Sequence, residues 1–376
     1  MSNQLDIDFN FPGANGKVVK MSESRVIIAP QLRDTAGSWF YWAFRVRGAQ
    51  GQKVKFILQL ESDPNYPLLS TRGPGVKVGA NGIWHYLHNR EEYSNSFEYT
   101  FSSESEVYFS NTFVYTDFDW QKFLTQTKFE QNLRIETLGF TPEKRKIKLY
   151  RFGRQDAQAR ILLTCRMHCC ESIASFVLEG IITKAAQDDY LRNKVEFAVI
   201  PFMDVDGSEN GDQGKNRTPH DHNRDFTSSP IHTEVKLLTQ YSQLWQDGKL
   251  KLGLDLHNPM LASRGDEHVH WVEEELEHIR TGQYCFARLL ESNQHSSLKF
   301  AFDRISRYGV GHNQKNRPTA SAWMSRLPGM QMAMSLETPY AEADHCEVNI
   351  ASATAFGADI ANAIKQFLQV ASSSKI

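Results

Sequence analysis

The chain has 376 residues, and its 42 Lys and Arg residues against 44 Asp and Glu residues leave a formal charge of −2 at pH 7. Hydrophobic residues make up 40% and charged residues 23%, a globular composition that excludes a long disordered chain, a collagen-like repeat and a disulfide miniprotein. The length predicts about two domains. The near-zero charge argues against a general nucleic-acid binder, which would carry a basic excess.

The expected compartment follows from what the sequence lacks. No stretch approaches the ~18 consecutive apolar residues of a membrane helix, and the start MSNQLDIDF lacks the basic and apolar segments of a secretory signal. The cysteine count of five is odd, and Cys169 and Cys170 are adjacent, which suits ordinary disulfide pairing poorly. We therefore expect a cytoplasmic protein with no membrane or nucleic-acid partner.

The first part of the chain has the pattern of short β-strands separated by turns. The expected strands, rich in aromatic and β-branched residues, are Ser38–Val46, Gln52–Leu60, Phe97–Phe101 and Glu106–Phe109. Gly/Pro clusters such as RGAQGQ at 47–52 separate them. The pattern predicts an N-terminal antiparallel β-sandwich domain over residues 1–116, although alternating strands would also fit one larger sheet.

After Thr116, strands and helices alternate. The expected helices are Asp117–Thr127, Ser172–Ile182, His232–Gln246 and Ala351–Val370. The expected strands are Ile147–Phe152, Arg160–Thr164, Val195–Phe202, Leu252–Leu256 and Met332–Leu336. This alternation predicts an α/β fold with a mixed, mainly parallel sheet flanked by helices over residues 117–376.

Chemically reactive side chains directly follow three of these strands. His168 and Glu171 follow one strand, His257 follows another and Glu337 follows a third. In α/β folds ligands bind at the carboxyl ends of strands, so these side chains can converge. Two histidines and one glutamate leave one coordination position of zinc open, as catalytic sites do. The sequence therefore predicts a Zn²⁺ site, although the same ligands could hold other divalent ions.

The spacing His168-x-x-Glu171 with a distant His257 resembles the zinc carboxypeptidases of the carboxypeptidase A type. The segments PFMDVDG at 201–207 and SLET at 335–338 extend the resemblance. It implies the zinc carboxypeptidase fold and the role of catalytic glutamate for Glu337. Such a glutamate takes a proton from the zinc-bound water that attacks the scissile carbonyl, and then passes it to the leaving amine.

The resemblance also implies substrate-binding residues. In the family an Asn-Arg pair grips the terminal carboxylate of the substrate, and Asn223-Arg224 matches it here. The planar fork of a guanidinium suits a carboxylate. The preceding Arg217 would help zinc to polarise the carbonyl and would stabilise the developing charge. Lys215 and Arg224 are nearby competitors for that role.

The N-terminal aromatic residues resemble the β-domain of cytosolic carboxypeptidases in a short, two-domain bacterial form, which implies removal of C-terminal residues, notably glutamates, from proteins. The segment Asp303–Leu327 is basic, and a basic pocket would favour a C-terminal Glu or Asp. Its basic residues are Arg304, Arg307, Lys315, Arg317 and Arg326. Arg326, the nearest in sequence to Glu337, is the first candidate for the pocket. The alternative is that these are solvated loop charges.

Two features depart from the family pattern. Cys169-Cys170 stands where the cytosolic subgroup commonly has Pro-Gly, and we expect both thiols to be spectators. The mobile lid tyrosine of the family has no clear counterpart, since Tyr308 lies far before Glu337 and the nearer aromatic residue is Trp323.

The predicted function is therefore a zinc metallocarboxypeptidase that hydrolyses the C-terminal peptide bond of a peptide or protein, with Zn²⁺ as cofactor. Two alternatives remain open. The same fold and metal would suit a deacylase or desuccinylase of a small N-acyl amino acid. A non-catalytic binding module would be supported by loss of a ligand or of the general base, but His168, Glu171, His257 and Glu337 are all present.

Overall fold

The N-terminal third of the chain forms two β-sheets that pack face to face. The computed structural model describes residues 5–35, 39–88, 94–103, 106–127, 133–245, 247–261 and 267–373. The strands of the two sheets are β1 (Asp6–Asp8), β2 (Lys17–Met21), β3 (Arg25–Ala29), β4 (Ala43–Arg47), β5 (Lys53–Leu58), β6 (Gly75–Val78), β7 (His85–Tyr86), β8 (Ser96–Thr100) and β9 (Glu106–Ser110). Their orders are β1-β4-β9-β6-β7 and β2-β3-β5-β8. All neighbours are antiparallel except β3 and β5.

Aromatic side chains from both sheets fill the space between them. Phe44 of β4 lies 5.3 Å from Phe56 of β5, and Phe97 of β8 lies 5.2 Å from Phe109 of β9, measured between ring centroids. All four are at most 2% exposed. Side chains alternate across a strand, so one face of each sheet can be apolar and can bury itself against the other.

The rest of the chain is built on an eight-stranded sheet with a parallel centre. Its strands are β10 (Arg134–Phe140), β11 (Lys146–Gly153), β12 (Ala159–Cys165), β13 (Val195–Ile200), β14 (Leu250–His257), β15 (Val269–Val272), β16 (Phe300–Ser306) and β17 (Met332–Glu337). The order is β10-β11-β13-β12-β14-β17-β15-β16. The central strands β13, β12, β14 and β17 run parallel to one another. A short hairpin, β18 (Glu342–Ala343) and β19 (Cys346–Glu347), follows the sheet.

Helices flank this sheet, which confirms the expected fold class. They are α1 (Asp117–Gln126), α2 (Ile173–Gln187), α3 (Asp189–Lys194), α4 (Val205–Asn210), α5 (Thr233–Trp245), α6 (Glu277–Asn293), α7 (Ala320–Met324) and α8 (Ile350–Ser373). Helices α2 and α8 cross closely because glycine stands at the crossing. A Cβ atom at Gly180 would lie 2.0 Å from the carbonyl oxygen of Thr354. No helix in the described part of the chain is long and apolar enough to cross a membrane.

One expected strand is wrong in its extent. Ser38–Val46 was expected to be a single strand, but β4 begins only at Ala43, and Ser38 lies outside the described residues. The backbone N–H of Phe40 donates to the side chain of Gln213 at 2.7 Å, so it is not available to a sheet. The N-terminal strands also form sheets of their own rather than part of one larger sheet. The domain boundary after residue 116 stays a prediction.

Candidate metal centre and substrate cleft

The carboxyl ends of three neighbouring parallel strands bring the expected metal ligands together. His257 ends β14, and it is the register partner of Glu337, which ends β17. β12 runs on the other side of β14, and the turn after it carries His168 and Glu171 to the start of α2. Parallel strands end at the same edge of a sheet. The sheet order therefore places all four residues at one edge.

His168, Glu171 and His257 are buried, and each offers a ligand atom within 4.8 Å of the others. The carboxylate of Glu171 lies between the two imidazoles. Its Oε1 is 2.7 Å from His168 Nδ1, and its Oε2 is 2.8 Å from His257 Nδ1. The two Nδ1 atoms and the carboxylate therefore face a common point.

The far nitrogen of each imidazole faces an aspartate. His257 Nε2 lies 2.6 Å from Asp255 Oδ2, and the other oxygen of Asp255 accepts a hydrogen bond from the hydroxyl of Thr164 at 2.7 Å. His168 Nε2 lies 3.5 Å from Asp221 Oδ1. An aspartate at Nε2 favours the proton on that nitrogen and leaves the lone pair of Nδ1 for a metal. The donor set and its outer partners therefore fit Zn²⁺.

A buried lysine adds a positive charge to this centre. Lys215 Nζ contacts Glu171 Oε1 and donates to the carbonyl oxygen of Asn258 at 2.8 Å. Burial lowers the pKa of Lys215, but the carboxylate of Glu171 outweighs burial and holds that pKa above its ordinary value. Lys215 therefore stays charged. Burial likewise opposes ionisation of Glu171, but Lys215 and the two histidines hold the pKa of this carboxyl well below its usual range.

The N-terminal region holds the segment that carries Lys215. The hydroxyl of Thr35 donates to the carbonyl oxygen of Lys215 at 2.6 Å, and Asp34 Oδ2 accepts from the backbone N–H of Gly214 at 2.8 Å. The segment also lies tightly against the metal turn, because a Cβ atom at Gly214 would come within 2.6 Å of the backbone nitrogen of Cys169. The segment is therefore held by the N-terminal region on one side and by the turn that carries His168 and Glu171 on the other.

Asn223 and Arg224 lie in a single 3-10 turn, His222–Arg224, beside the metal ligands. Asn223 Oδ1 accepts from the backbone N–H of Ala320 at 2.9 Å, and its Nδ2 is 3.2 Å from His257 Nε2. Both residues line a cleft that Glu337 also lines, with a volume of about 600 Å³ including its open mouth. The structure thus brings Asn223, Arg224 and Glu337 to one cleft, and Asn223 places this cleft beside the expected metal ligand His257.

Asp225 anchors this turn. Its carboxylate accepts from the backbone N–H of Ile231 at 3.0 Å and of His232 at 2.7 Å, and it lies 2.7 Å from His220 Nε2. His220, Asp225 and His232 form a second group that could hold a metal ion. The hydrogen bonds already assign these side chains a structural role, since they fix the turn that carries Arg224.

Comparison with known proteins agrees with this arrangement. Residues 121–274 match the family model described as zinc carboxypeptidase, and this range includes His168, Glu171 and His257. This segment of the chain is similar to the zinc carboxypeptidase family. That family is one of peptide-bond hydrolases, and the match confirms the resemblance seen in the sequence.

Two relatives of the chain are named cytosolic carboxypeptidase 6. The protein of Caenorhabditis elegans is 26% identical over 289 residues, which cover 67% of this chain and 62% of that protein. The human protein is 27% identical over 240 residues, which cover 58% of this chain and 47% of that protein. The chain therefore spans less than two thirds of the length of either relative.

Solved structures share the fold over almost the whole chain. A metallo-carboxypeptidase from Burkholderia cenocepacia superposes with a TM-score of 0.81 at 17% identity, covering 98% of this chain and 100% of that one. A metallo-carboxypeptidase from Pseudomonas aeruginosa gives 0.78 at 17% identity, covering 97% and 99%. Both likenesses include the N-terminal sheets as well as the eight-stranded sheet.

Arg217 lies among acidic side chains. Its guanidinium is 2.9 Å from Asp34, 2.8 Å from Asp204 and 3.5 Å from Asp212. Burial lowers the pKa of Arg217, but Asp204 and the other acidic partners outweigh it and raise the pKa above its ordinary value. Arg217 joins Asp34 of the N-terminal region to the segment that carries Lys215. Its catalytic role stays a prediction.

Arg326 does line the cleft, but it already has a partner. Its guanidinium lies 2.6 Å from Glu275 Oε2 and donates to the carbonyl oxygen of Ala322 at 2.6 Å. The side chain of Arg326 is 50% exposed. Arg317 and Glu274 line the same cleft. The wall is therefore mixed in charge rather than basic.

Sequence reasoning missed three residues of this site. Lys215 was considered only as a competitor for another role, and Glu274 and Glu275 were not considered. The run EEE at 273–275 directly after β15 is the signal that would have drawn attention to the two glutamates. Tyr308, which seemed too distant in sequence to matter, also lines the cleft.

The aromatic and sulfur groups near the site are mostly packed away. Trp323, the other aromatic residue considered for the lid, packs against Phe226, with the ring centroids 5.2 Å apart and the rings tilted by 31°. Cys169 and Cys170 are each 1% exposed. Burial raises the pKa of both thiols, that of Cys170 to about 12, so both are protonated at neutral pH.

Proposed function

We propose that the chain is a zinc-dependent carboxypeptidase that hydrolyses the C-terminal peptide bond of peptides or proteins. One observation carries the proposal: the Asn223–Arg224 pair and Glu337 line a single cleft, and Asn223 lies 3.2 Å from the ligand His257. A cation that can grip a carboxylate, placed next to a hydrolytic metal centre, suits a substrate cleaved close to a free C-terminus.

The residues take complementary roles. Zinc, when held by His168, Glu171 and His257, supplies a water of lowered pKa and polarises the scissile carbonyl. Glu337 accepts a proton from the attacking water and returns it to the leaving amine. Arg224 binds the terminal α-carboxylate, which fixes the distance from the chain end to the bond that is cut.

Two cations compete for the role of stabilising the negative charge on the carbonyl oxygen. Arg217 was predicted for this role from the resemblance, but its described ion pairs are all to aspartates. Lys215 supports the alternative, because its charged amine contacts Glu171 directly. We therefore assign the role to Lys215 and expect Arg217 to position the segment. Lys215→Met should then lower kcat more than Arg217→Met does.

Two finer predictions concern the location of the protein and the residue that it releases. A cytoplasmic location is supported by two relatives named cytosolic carboxypeptidases. A preference for C-terminal glutamate rests on the resemblance and on Arg326, and the pairing of Arg326 with Glu275 weakens it. Both stay predictions.

A matched peptide panel tests the proposed reaction. The peptides end in Lys, Arg, Glu, Leu or an amidated C-terminus, and the enzymes are zinc-loaded wild type and Glu337→Gln. We expect release of one terminal residue by the wild type, loss of release on amidation, and a fall of about 10²–10⁴-fold in kcat in the variant at unchanged zinc content. Cleavage of amidated peptides at full rate would contradict the role of Arg224.

The same panel separates the alternatives. Stoichiometric zinc without release from any peptide would favour a deacylase or desuccinylase of a small N-acyl amino acid. The absence of both zinc binding and release would favour a binding module.

A further inference from the structure

His220 and His232 stand at the two ends of the loop that carries Asn223 and Arg224, and Asp225 lies between them in sequence. His220, Asp225 and His232 each offer a ligand atom within 4.8 Å of the other two. Asp225 is fully buried, whereas the side chain of His220 is 32% exposed. The cluster is therefore built around a buried carboxylate and can be reached from solvent.

The cluster has the same donor set as the expected catalytic metal centre, two imidazoles and one carboxylate. Asp225 Oδ1 lies 2.7 Å from His220 Nε2, as Glu171 Oε1 lies 2.7 Å from His168 Nδ1. Such nitrogen and oxygen donors suit Zn²⁺ and its neighbours Co²⁺ and Ni²⁺. Two donors of a tetrahedral zinc ion lie about 3.3 Å apart. His220 and Asp225 therefore need to separate by only about 0.6 Å to hold one.

A backbone carbonyl orients His232 as a ligand. His232 Nε2 lies 2.9 Å from the carbonyl oxygen of His220. A carbonyl oxygen can only accept a hydrogen bond, so Nε2 carries the proton, and the lone pair of the neutral ring is on Nδ1. Histidines that bind a metal characteristically donate their other N–H to a carbonyl or a carboxylate in this way. This contact fixes the tautomer of His232 without help from Asp225.

Asp225 is a buried carboxylate without a permanent cation beside it. It accepts from the backbone N–H of Ile231 at 3.0 Å and of His232 at 2.7 Å. Within the residues that the structure describes, no lysine or arginine forms an ion pair with it, and its contact with His220 is ionic only when that imidazole is protonated. Burial of a carboxylate is costly unless a positive charge compensates it. A divalent ion between Asp225 and the two imidazoles supplies that charge.

We propose that His220, Asp225 and His232 form a second metal site, which binds Zn²⁺ or a similar transition-metal ion and ties together the two ends of the loop that carries Asn223 and Arg224. The ion replaces the direct contact between His220 and Asp225. A link between the ends of a loop removes conformations that the free loop would sample, so the ion holds the Asn-Arg pair in place. The inference goes beyond the proposed function, because binding of a second ion is measured without any substrate.

His220→Gln and His345→Gln form a matched pair of variants for the test. A glutamine amide at position 220 can still donate to Asp225, but it is a poor zinc ligand. His345 is a histidine with a 90% exposed side chain, 3.6 Å from the carboxylate of Glu342. It controls for zinc held weakly by a histidine and a carboxylate at the surface. Both substitutions are made in wild type and in His257→Gln, which removes an expected ligand of the catalytic zinc.

The metal-free proteins are titrated with Zn²⁺ in competition with a fluorescent chelator, and bound ions are counted by native mass spectrometry. We expect two ions in wild type and one in His257→Gln. Adding His220→Gln to His257→Gln should weaken the remaining site at least about 100-fold, because a direct ligand contributes more than an outer partner. Adding His345→Gln should leave its affinity unchanged. A single ion per wild-type chain, no effect of His220→Gln, or an equal effect of His345→Gln would each overturn the inference.

Unfolding in urea gives a second readout that leaves the cluster intact. In His257→Gln, Zn²⁺ at about 100 times its Kd should raise the urea midpoint, because an ion that binds only the folded state stabilises it by mass action. Mg²⁺, which prefers oxygen ligands, should not raise it. No rise with Zn²⁺, or an equal rise with Mg²⁺, would reject the site. Neither readout needs turnover, so a failure of the proposed peptidase reaction is seen separately in the peptide panel.

Discussion

Replacing Asp255 with Asn tests the metal centre through a residue that is not itself a ligand. Asp255 is fully buried, lies 2.6 Å from His257 Nε2 and accepts from the hydroxyl of Thr164 at 2.7 Å. Asn can keep both contacts, because its Oδ1 accepts from the imidazole while its amide donates to the hydroxyl. The substitution therefore removes the negative charge and preserves the shape.

The expected loss is one of zinc affinity. Outer partners of metal-bound histidines are worth about 10–100-fold in metal affinity, or about 1.4–2.7 kcal/mol. The contact to His257 is short and both residues are at most 1% exposed. We therefore expect a loss of about 50-fold for Asp255→Asn. Asp221 lies 3.5 Å from His168 Nε2, so Asp221→Asn should cost at most about tenfold.

Competition with a fluorescent chelator measures the zinc Kd of each variant. Glu234→Gln is the matched control, because Glu234 is a carboxylate 3.5 Å from His222, which is outside the ligand set. The reasoning fails if Asp255→Asn binds zinc as tightly as wild type. It also fails if Glu234→Gln weakens binding equally, since the effect would then be one of general charge or stability.

Three further predictions concern binding and stability. Arg224→Lys should raise KM for free C-termini about tenfold, because an amine cannot form the bidentate pair; an unchanged KM would exclude carboxylate binding. Glu196 is fully buried and pairs with three arginines. Glu196→Gln should lower the free energy of unfolding by about 3–5 kcal/mol, against less than about 1 kcal/mol for the partly exposed Arg134→Gln; equal urea midpoints would contradict this. Burial raises the pKa of Glu274 from 4.5 to about 7. The folded state therefore keeps a proton that the unfolded chain loses, and wild-type stability falls as pH rises through this window. Glu274→Gln should remove about 3 kcal/mol of that fall. Urea unfolding of the wild type and the variant at both ends of this pH window measures the effect. If the stabilities of the two proteins change in parallel with pH, the prediction is wrong.

The convergence of the expected metal ligands was predictable from the sequence. His168, His257 and Glu337 each follow an apolar run that forms a buried parallel strand. The carboxyl ends of neighbouring parallel strands must meet, whatever the loops between them do. The prediction needed only the type of each strand and the residues after it.

The charge of the cleft wall was not predictable in the same way. Arg326 and Glu275 are 51 residues apart, and their ion pair depends on how α7 sits against the segment after β15. The count of charges over Asp303–Leu327 included the arginines but not the acidic residues elsewhere in the chain that pair with them. The prediction of a basic pocket is therefore weakened by contacts that no local pattern contains.

Local pattern by itself determined the central strands β12, β13, β14 and β17, the helices α1, α2, α5 and α8, and the residues at the strand ends, because hydrophobic periodicity is a local property. Only the tertiary structure decided which charges lie next to one another. It brought Lys215 to Glu171, directed Arg217 towards Asp34 and left Glu274 in the cleft wall. The free energy of a charge depends on its burial and on its nearest partner, and both are set by segments that are distant in sequence.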